Sequence, residues 1–362
     1  MTIPRTSGTR RLLVIALASV VVSCGSGTAG PQASPTPLAT CSANCVTEFA
    51  TAASAIAPPP SVGTPVPGAP LDLVTGIAAG TDGAVWFFEV NTNKLGRLAT
   101  DGMLSEFLIP GAPSMQGFVV VAKDGSIWVT GDRAGTLTRR AADGSFTQFP
   151  LGLAPNQILR SVLVGPDGEI WYLARGTNKL GRITTAGVIT EYPVLPPPTP
   201  GVPGPAAQGI GPGVTLGPDN AFWFIDGANG KVGRWSPTRD TKEFDVPGGA
   251  GPRITSGPDG ALWFTEFAGN KIGRITVDGV VTEFSLPEKT GPIGITAGPD
   301  RAIWFTAHGS GKIGRMTSDG QLTQFDIPTA ESTPFGIITG TDGNIWFTGG
   351  ASGKVGRVRL KQ

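Results

Sequence analysis

The sequence predicts an all-β fold, a seven-bladed β-propeller with four antiparallel strands in each blade. The main observation is a tryptophan that recurs seven times, at spacings of 40 to 52 residues. An aspartate stands four residues before each of these tryptophans, and an arginine stands eleven residues after each. Units of about 40 residues built from short strands and turns are typical of propeller blades. The repeated tryptophans are Trp86, Trp128, Trp171, Trp223, Trp263, Trp304 and Trp346.

The unit at residues 291–328 shows how the strands of one blade are predicted. Short strands are expected at 294–297, 302–306, 312–317 and 321–327, with turns between them. Asp319-Gly320 is a dipeptide that accepts the positive φ of a tight hairpin turn. Pro328 cannot donate a hydrogen bond to a neighbouring strand, so it ends the fourth strand.

The two ends of the chain supply the strand that closes the ring. The last unit reaches Leu360 after its third strand and lacks a counterpart of the Thr-Glu-Phe pattern at residues 282–284. That pattern stands near the other end of the chain, at residues 47–49. The N-terminal strand is therefore expected to complete the last blade and to leave no free sheet edge. Residues 46–362 are expected to form a single propeller domain.

Residues that occur in every unit are interpreted as structural. The tryptophans are expected to form the core between blades, because large apolar side chains on inner strands are usually buried. The aspartates lie in turns, where their side chains bond nearby backbone. The arginines, and the lysines that stand three residues before most of them, are expected to be solvated or to bridge turns. A functional site is therefore sought where the blades differ.

The composition argues against a nucleic-acid partner. The chain of 362 residues carries a net charge of +1, and only 15% of its residues are charged. Its lysines and arginines are scattered, whereas nucleic-acid-binding domains cluster them on one face. The 54 glycines and 33 prolines are expected in the many turns of the repeats and in linkers. We expect the protein to be a monomer.

Residues 1–23 are predicted to be a lipoprotein signal peptide. Arg5, Arg10 and Arg11 precede an apolar run at residues 12–22, which is shorter than the about 20 residues that a membrane-spanning helix needs. The run leads into a Val-Val-Ser-Cys sequence that ends at Cys24 and resembles the lipobox of bacterial lipoproteins. The resemblance implies a lipid on Cys24 that anchors the protein to a membrane, on the extracytoplasmic side of the bacterial cell envelope. The alternative is an ordinary signal peptide that ends near a cysteine.

Residues 24–45 are predicted to be a flexible tether, because they are rich in Ser, Pro, Thr, Ala and Gly. Cys41 and Cys45 lie at its end. With Cys24 lipidated, these two cysteines are expected to form a disulfide in an oxidising compartment. A metal site would need further ligands close by, and the neighbouring sequence contains none.

The differences between blades are expected to matter at one face of the propeller. The first strand of a blade leaves that face and the second returns to it, so the loops before the first strand and after the second lie together at the channel mouth. Aligned by sequence, the loops before the first strands differ at Thr75, Gln116, Arg160, Pro212, Arg253, Ile293 and Phe335. The predicted ligand-binding rim consists of Glu89, Arg160, Arg175, Asp226, Arg253, Glu266 and His308.

Mixed charges around a concave mouth suit a polar or anionic small molecule, a glycan or another component of the envelope. The alternative is a solvated rim of compensating charges. His308 is the only histidine of the chain. If the protein is an enzyme, His308 and Glu266 are its candidate catalytic residues; otherwise the histidine is incidental. The proline-rich stretch at 193–212 is expected to fold over the mouth as a stiff lid.

The repeat resembles that of the virginiamycin B lyase family. The resemblance is carried by Gly-Pro-Asp-Gly-Ala-Leu-Trp-Phe-Thr-Glu at 257–266, Asn-Lys-Ile-Gly-Arg-Ile-Thr at 270–276 and Val-Thr-Glu-Phe at 281–284. It covers about residues 72–360, with 46–49 as the closing strand. The resemblance implies a propeller that opens type B streptogramin antibiotics by elimination across the ring ester, with Mg²⁺ and without water. Such chemistry needs a base for the proton alpha to the carbonyl and a cation for the developing enolate.

The chain departs from the family at the positions that carry this chemistry. The family's base is a histidine in a Pro-His-Gly-Ile motif, and Phe335 stands in its place. The family's metal-binding glutamates correspond to Thr333 and Gly350, and a substrate-contacting histidine corresponds to Ile293. Glycine has no carboxylate to offer Mg²⁺, and phenylalanine has no basic nitrogen. No cofactor is therefore predicted, and Mg²⁺ is expected only if lyase activity is retained.

Two classes of function stay open from the sequence. The first is an exported, lipid-anchored, non-catalytic ligand-binding or scaffold protein of the cell envelope. The second is an enzyme with a site rebuilt around His308, either a lyase of the streptogramin B lyase type or a propeller lactonase or other hydrolase. A fold by itself does not decide between these classes.

Overall fold

The computed structural model describes residues 45–51, 74–90, 92–111, 117–131, 135–153, 157–175, 177–195 and 213–360. The side chains of Ile158, Arg160, Arg175, Arg239 and Asp240 are also outside this description. The predicted signal peptide, Cys24, most of the tether and most of the predicted lid lie outside the described residues. Cys45 is disulfide-bonded, and its predicted partner Cys41 is among the residues not described. In the described part, no helix is long and apolar enough to cross a membrane.

Within the described residues, 28 strands form seven four-stranded antiparallel sheets, which are the blades. The strand that closes the ring, β1 (Val46–Ala50), comes first along the chain. Blades 1 to 3 consist of β2 (Val74–Ala79), β3 (Val85–Glu89), β4 (Lys94–Leu98), β5 (Leu104–Leu108); β6 (Val119–Val121), β7 (Ile127–Gly131), β8 (Thr136–Arg140), β9 (Phe146–Pro150); and β10 (Ile158–Val164), β11 (Ile170–Arg175), β12 (Lys179–Ile183), β13 (Ile189–Pro193).

Blades 4 to 7 follow in the same order along the chain. They consist of β14 (Val214–Leu216), β15 (Phe222–Asp226), β16 (Lys231–Ser236), β17 (Arg239–Asp245); β18 (Ile254–Ser256), β19 (Leu262–Glu266), β20 (Lys271–Ile275), β21 (Val281–Ser285); β22 (Pro292–Ala297), β23 (Ile303–Ala307), β24 (Lys312–Met316), β25 (Leu322–Asp326); and β26 (Ile337–Thr339), β27 (Ile345–Thr348), β28 (Lys354–Val358) with β1. The seven-bladed propeller is therefore confirmed, and the four strands of blade 6 lie within two residues of their predicted bounds.

The ring closes as the sequence predicts, because β1 joins the last blade. It pairs antiparallel with β28, from Val46 opposite Val358 to Ala50 opposite Lys354. The side chain of Glu48 is buried in this seam and accepts hydrogen bonds from the backbone and hydroxyl of Thr329, at 2.9 and 2.7 Å. Pairing across the two chain ends covers the edge of β28, which would otherwise invite association with another strand.

The core lies between neighbouring blades, as the repeated tryptophans predict. Trp223 of blade 4 is fully buried and packs in one cluster with Leu262 and Phe264 of blade 5. Within its own blade each tryptophan also meets an aromatic ring of the fourth strand; Trp263 and Phe284 stack with ring centroids 5.5 Å apart. Such pairs contribute about 0.5–1.5 kcal/mol beyond the area that they bury. Each blade is therefore held by the next.

The repeated aspartate and arginine form a bridge within the blade. In blade 5 the indole Nε1–H of Trp263 donates to Asp259 Oδ1 at 3.0 Å, and Arg274 Nε donates to Oδ2 at 2.7 Å. Burial by itself raises the pKa of Asp259, but the bonds from Trp263 and Arg274 outweigh it and lower the pKa below its ordinary value. Six of the seven repeated arginines bridge to the aspartate of their blade in this way, one of the two roles predicted for them, whereas Arg357 donates to Thr100 O at 3.0 Å.

Candidate functional site

The channel mouth is organised by buried threonine hydroxyls at the ends of the second strands. In blade 5, Thr265 Oγ1 accepts a hydrogen bond from the backbone N–H of Arg253 at 3.1 Å. The same hydroxyl donates to the backbone carbonyl of Ile293 in blade 6, also at 3.1 Å. Because Thr265 is fully buried, these bonds are shielded from water and link the start of one inner strand to the start of the next.

The same arrangement continues around the ring. In blade 6, Thr306 accepts from Gly294 N–H at 2.7 Å and donates to Phe335 O at 3.0 Å. In blade 7, Thr348 accepts from Gly336 N–H at 2.8 Å and donates to Thr75 O of blade 1 at 3.1 Å. The backbone that carries the mouth residues is therefore fixed from blade to blade by hydrogen bonds between neighbouring loops.

The strand register changes which residues of the other blades are equivalent to Arg253, because it shifts Arg253 by one residue relative to the sequence alignment. Ile254 lies opposite Phe264 in blade 5, as Ile295 lies opposite Phe305 in blade 6. Arg253 is thus equivalent to Gly294, and not to Ile293 and Phe335 as the sequence comparison has it. Each blade has one residue at the position equivalent to Arg253, and in four blades this residue is glycine. From blade 1 to blade 7 the residues are Gly76, Phe118, Ser161, Gly213, Arg253, Gly294 and Gly336.

Side chains at this position point into the central channel. A cavity of about 130 Å³ in the channel is lined by Phe118, Ser161 and Arg253, together with Phe335. Elsewhere in the ring a Cβ at this position would press on the next blade; at Gly294 it would stand 2.3 Å from Phe335 O. Phe118, Ser161 and Arg253 are therefore the residues at this position that place side chains in the channel.

A larger cavity of about 460 Å³ opens at the channel mouth, and we call it the mouth cavity. The loop between β17 and β18 forms part of its lining. Two backbone hydrogen bonds join this loop to the end of β19 and the residue after it: Gly251 N–H donates to Thr265 O at 3.0 Å, and Phe267 N–H donates to Gly251 O at 3.2 Å. The mouth cavity is lined by Phe118, Ile225, Gly227, Gly249, Ala250, Gly251, Pro252, Arg253, Phe267, Ala268, Ile293 and Phe335.

Arg253 stands where the mouth cavity meets the narrower channel, because it lines both. Its guanidinium carbon lies 4.5 Å from the ring centroid of Phe118 and 5.8 Å from that of Phe335. Cation–π contacts of this kind orient a guanidinium over an aromatic face. Among the described residues that line the mouth cavity, Arg253 is the one that carries a charge.

The three carboxylates predicted for the rim lie elsewhere. Glu89, Asp226 and Glu266 are 0%, 1% and 0% exposed, and none of them lines either cavity. They stand three residues after the repeated tryptophan, whereas Phe267, which lines the mouth cavity, stands four residues after it. Glu266 is the last residue of β19 and Phe267 begins the turn after it, so a shift of one position moves the side chain from the flank of the blade to the mouth.

Glu266 is enclosed at the flank of blade 5. Neither of its carboxylate oxygens has a hydrogen-bond partner among the described residues. Its neighbour Glu283 accepts from Gly248 N–H at 2.6 Å and forms an ion pair with Lys271 at 2.8 Å. Burial, followed by the negative charge of Glu283, raises the pKa of Glu266 to about 7. Glu266 therefore changes its charge near neutral pH, although it does not line the mouth cavity.

Glu89 and Asp226 have partners that indicate structural roles. Asp226 accepts from Ala228 N–H at 3.1 Å and from the side-chain amide of Asn229 at 2.6 Å, which caps the turn after β15. Glu89 accepts from the hydroxyl of Thr92 at 2.7 Å. Burial raises the pKa of Glu89 to about 7, although the bond from Thr92 acts in the opposite direction.

The remaining rim residues are only partly placed. His308 is half-buried, and its Nδ1 lies 3.3 Å from the carbonyl oxygen of Pro334, the residue before Phe335. Glu266 forms no hydrogen bond with His308. The side chains of Arg160 and Arg175 are outside the described residues. Of the predicted rim, Arg253 is the member that lines the mouth cavity.

Thr333 and Gly350, which the resemblance places at the family's metal positions, offer no carboxylate to Mg²⁺. Thr333 Oγ1 accepts a hydrogen bond from the backbone N–H of Ala351 at 2.9 Å. Gly350 begins a short 3-10 helix, Gly350–Ser352, and offers no side chain. Among the described residues, no three His, Cys, Asp or Glu side chains are grouped to hold a metal. Mg²⁺ sites use carboxylates, and none of the described residues that line the mouth cavity carries one.

Comparisons with known proteins show what this geometry is similar to. The sequence model of the virginiamycin B lyase family matches residues 65–200 and 202–362. A solved streptogramin B lyase is 34% identical, with 87% of this chain and 97% of that chain covered and a TM-score of 0.74. Virginiamycin B lyase from Staphylococcus aureus is 34% identical, with 79% and 94% covered and a TM-score of 0.70.

A third structure has a ligand. It is a catalytically inactive histidine-to-alanine variant of virginiamycin B lyase from Staphylococcus aureus with quinupristin. It is 31% identical, with 86% of this chain and 98% of that chain covered and a TM-score of 0.72. None of the proteins with curated functions matches the sequence.

Proposed function

The chain belongs to the virginiamycin B lyase family, and we propose that it is a non-catalytic ligand-binding member of that family. Its site is the mouth cavity, and its ligand is a small molecule or a component of the cell envelope. Membership of the family determines the propeller and the location of the mouth. The residues that line the mouth are this chain's own, and they argue for binding.

The observation that carries this proposal is the chemistry of the cavity walls. Three aromatic side chains, Phe118, Phe267 and Phe335, line the mouth cavity together with Arg253, whose guanidinium lies over the rings of Phe118 and Phe335. Pockets for small molecules are mostly apolar, with a few polar groups that orient the ligand. Phe267 is 50% exposed although it is aromatic, which is the exposure expected of a side chain that covers a ligand.

Elimination across an ester needs groups that the described lining of the mouth cavity does not offer. A base has to stand within hydrogen-bonding reach of the substrate proton, and an electrophile has to hold the enolate oxygen. Among the described residues that line the mouth cavity there is neither a carboxylate nor an imidazole. Arg253 can hold an anion but cannot accept a proton, since a guanidinium stays protonated in proteins.

A second candidate function is a lyase with a rebuilt site, and one observation favours it. Glu266 is fully buried, and its pKa of about 7 is suited to a general acid or base. Such a lyase would require Glu266 and His308 to act together on a ligand in the mouth cavity. Glu266 would have to turn away from Glu283 and toward the channel to do so.

Quinupristin distinguishes the two functions. Elimination opens the ring without changing the mass, whereas hydrolysis adds one water, so the products are separated by chromatography and identified from fragment masses. The protein, produced from residue 25 onward without lipid, is incubated with quinupristin and Mg²⁺ beside the Staphylococcus aureus enzyme. We expect no conversion by this chain. Conversion that is lost in His308→Ala and in Glu266→Gln would replace the proposal by the rebuilt lyase.

We also propose that the protein is exported and held at a membrane by lipid on Cys24. The motif that ends at Cys24 and the composition of the tether support this localisation. Metabolic labelling with an alkyne fatty acid should mark the wild-type protein in the membrane fraction. The Cys24→Ala variant should be unlabelled and released; a labelled variant would contradict the assignment.

A further inference from the structure

We infer that Glu266 and Glu283 form a proton-operated latch on the loop at residues 246–252, which we call the mouth loop. The latch is closed while Glu266 carries a proton, and it opens when that proton leaves. Because the mouth loop lines part of the mouth cavity, the latch makes the shape of the cavity depend on pH. The latch concerns the cavity wall rather than the ligand, and so goes beyond the proposed function.

Both carboxyls close on the mouth loop at Gly248. The backbone N–H of Gly248 donates to Glu283 Oε1 at 2.6 Å. A Cβ added at Gly248 would stand 2.1 Å from Glu266 Oε2 and 2.7 Å from Glu283 Oε1, so a larger residue would press on both carboxyls. Gly248 is therefore the point at which the mouth loop rests against the pair.

The mouth loop carries this contact to the cavity. Residues 249–252 follow Gly248 directly and line the mouth cavity. A backbone hydrogen bond from Ala250 N–H to Gly230 O, at 3.1 Å, holds the mouth loop to blade 4. A displacement at Gly248 therefore moves backbone that forms the cavity wall.

Glu266 holds the proton of the pair at neutral pH. Its carboxyl is fully buried, and neither oxygen has a hydrogen-bond partner among the described residues. Burial by itself raises the pKa of Glu283, but the bonds from Lys271 and Gly248 outweigh it and lower that pKa. Burial and the charge of Glu283 raise the pKa of Glu266 to about 7. With its proton, Glu266 is a donor, and the carboxylate of Glu283 beside it is an acceptor.

The charged groups that act on Glu266 are Glu283 on β21 and Lys271 on β20. The mouth loop and the turn at residues 267–270 contain no titratable side chain. Loss of the proton leaves two carboxylates opposite one ammonium, and a buried charge without a partner is costly. Movement of the mouth loop away from the pair admits water to Glu266, so ionisation favours the open loop.

Hydrogen exchange of backbone amides tests the latch without a ligand, so the result does not depend on the proposed binding function. The protein, produced from residue 25 onward, is followed by NMR from about pH 5.5 to about pH 8.5, with rates corrected for intrinsic exchange. We expect the protection of the Gly248 and Ala250 amides to fall by at least about tenfold, the factor that one unit of pKa difference between closed and open loop produces.

Blade 6 supplies an internal control, because Ala307 stands there at the position of Glu266. The amide of Gly309, which is hydrogen-bonded to the loop before β22, should keep its protection over the same pH range. Glu266→Gln cannot ionise and should keep Gly248 protected throughout. Glu89→Gln changes an equally buried carboxyl of blade 1, also with a pKa of about 7, and should leave the fall at Gly248 as in the wild type.

A second variant serves if Glu266→Gln does not fold. Glu283→Gln keeps an acceptor for the Gly248 N–H but removes one of the two negative charges, so the fall in protection should be smaller. Protection at Gly248 that does not change with pH in the wild type would overturn the latch. A fall that persists in Glu266→Gln, or one that Gly309 shares, would overturn it as well, since another group or a loosening of the whole propeller would then be the cause.

Discussion

Replacing Glu266 by glutamine should make the protein more stable than the wild type at neutral and alkaline pH. Glu266 is fully buried with both oxygens unpartnered among the described residues, and its pKa is raised to about 7. In the unfolded chain the carboxyl ionises at its ordinary pKa of 4.5. Between these two values the unfolded state loses its proton while the folded state keeps it.

The direction and size of the effect follow from that difference. Below pH 4.5 the group is neutral in both states, and its contribution does not change with pH. As the pH rises from 4.5 to about 7, ionisation favours the unfolded state, so stability falls; above about 7 the loss is complete. One pKa unit corresponds to about 1.4 kcal/mol, so a rise from 4.5 to about 7 amounts to roughly 3 kcal/mol.

Glutamine has the same shape and does not ionise, so the variant should escape this loss. Urea unfolding is followed by tryptophan fluorescence for wild type and variant from about pH 4 to about pH 8. The difference between the two curves should grow in favour of Glu266→Gln up to about pH 7 and then level off. Glu288→Gln, at an exposed site in the same region, serves as the control. Parallel curves for Glu266→Gln and wild type would refute the reasoning.

Three further predictions concern the propeller itself. Asp259→Ala removes the acceptor of the indole N–H and the arginine of its blade, and should lower the free energy of unfolding by about 1–3 kcal/mol in urea titrations; an unchanged midpoint would contradict the bridge. Gly273→Ala would put a Cβ 2.1 Å from the Phe264 ring, and should cost roughly 1–3 kcal/mol in the same assay; an unchanged midpoint would contradict this close contact. Removing residues 45–51 takes away β1 and uncovers β28, so size-exclusion chromatography should show aggregates or dimers; a stable monomer would show that the seam is dispensable.

The number and order of the blades could be predicted because a propeller repeats its packing. Each blade buries its tryptophan against the next blade, as Trp223 does against Phe264, so the same residue types recur at the same offsets. The closing strand could be predicted for the same reason, since residues 47–49 repeat a pattern that the last unit lacks. Periodicity therefore carried nearly all the information on the fold.

The site could be predicted only in part. Arg253 was in the predicted rim and lines the mouth cavity, but Phe118, Ile225 and Phe267 were not predicted. A signal for Phe118 existed, because it stands at a position that holds glycine in most blades, yet reading it required the strand register. Phe267 gave no such signal, since an aromatic residue in a loop after a strand has no fixed direction in sequence.

The sequence by itself determined the fold of this chain and the face on which blades differ, because burial between blades imposes a period that the residues must repeat. Only the tertiary structure decided which side chains meet at that face. Glu266 and Phe267 are neighbours in sequence, but one is enclosed at the blade flank and the other lines the mouth cavity. The physical reason is that Glu266 ends β19 at the blade flank whereas the chain turns at Phe267, so a shift of one residue changes the face that a side chain reaches.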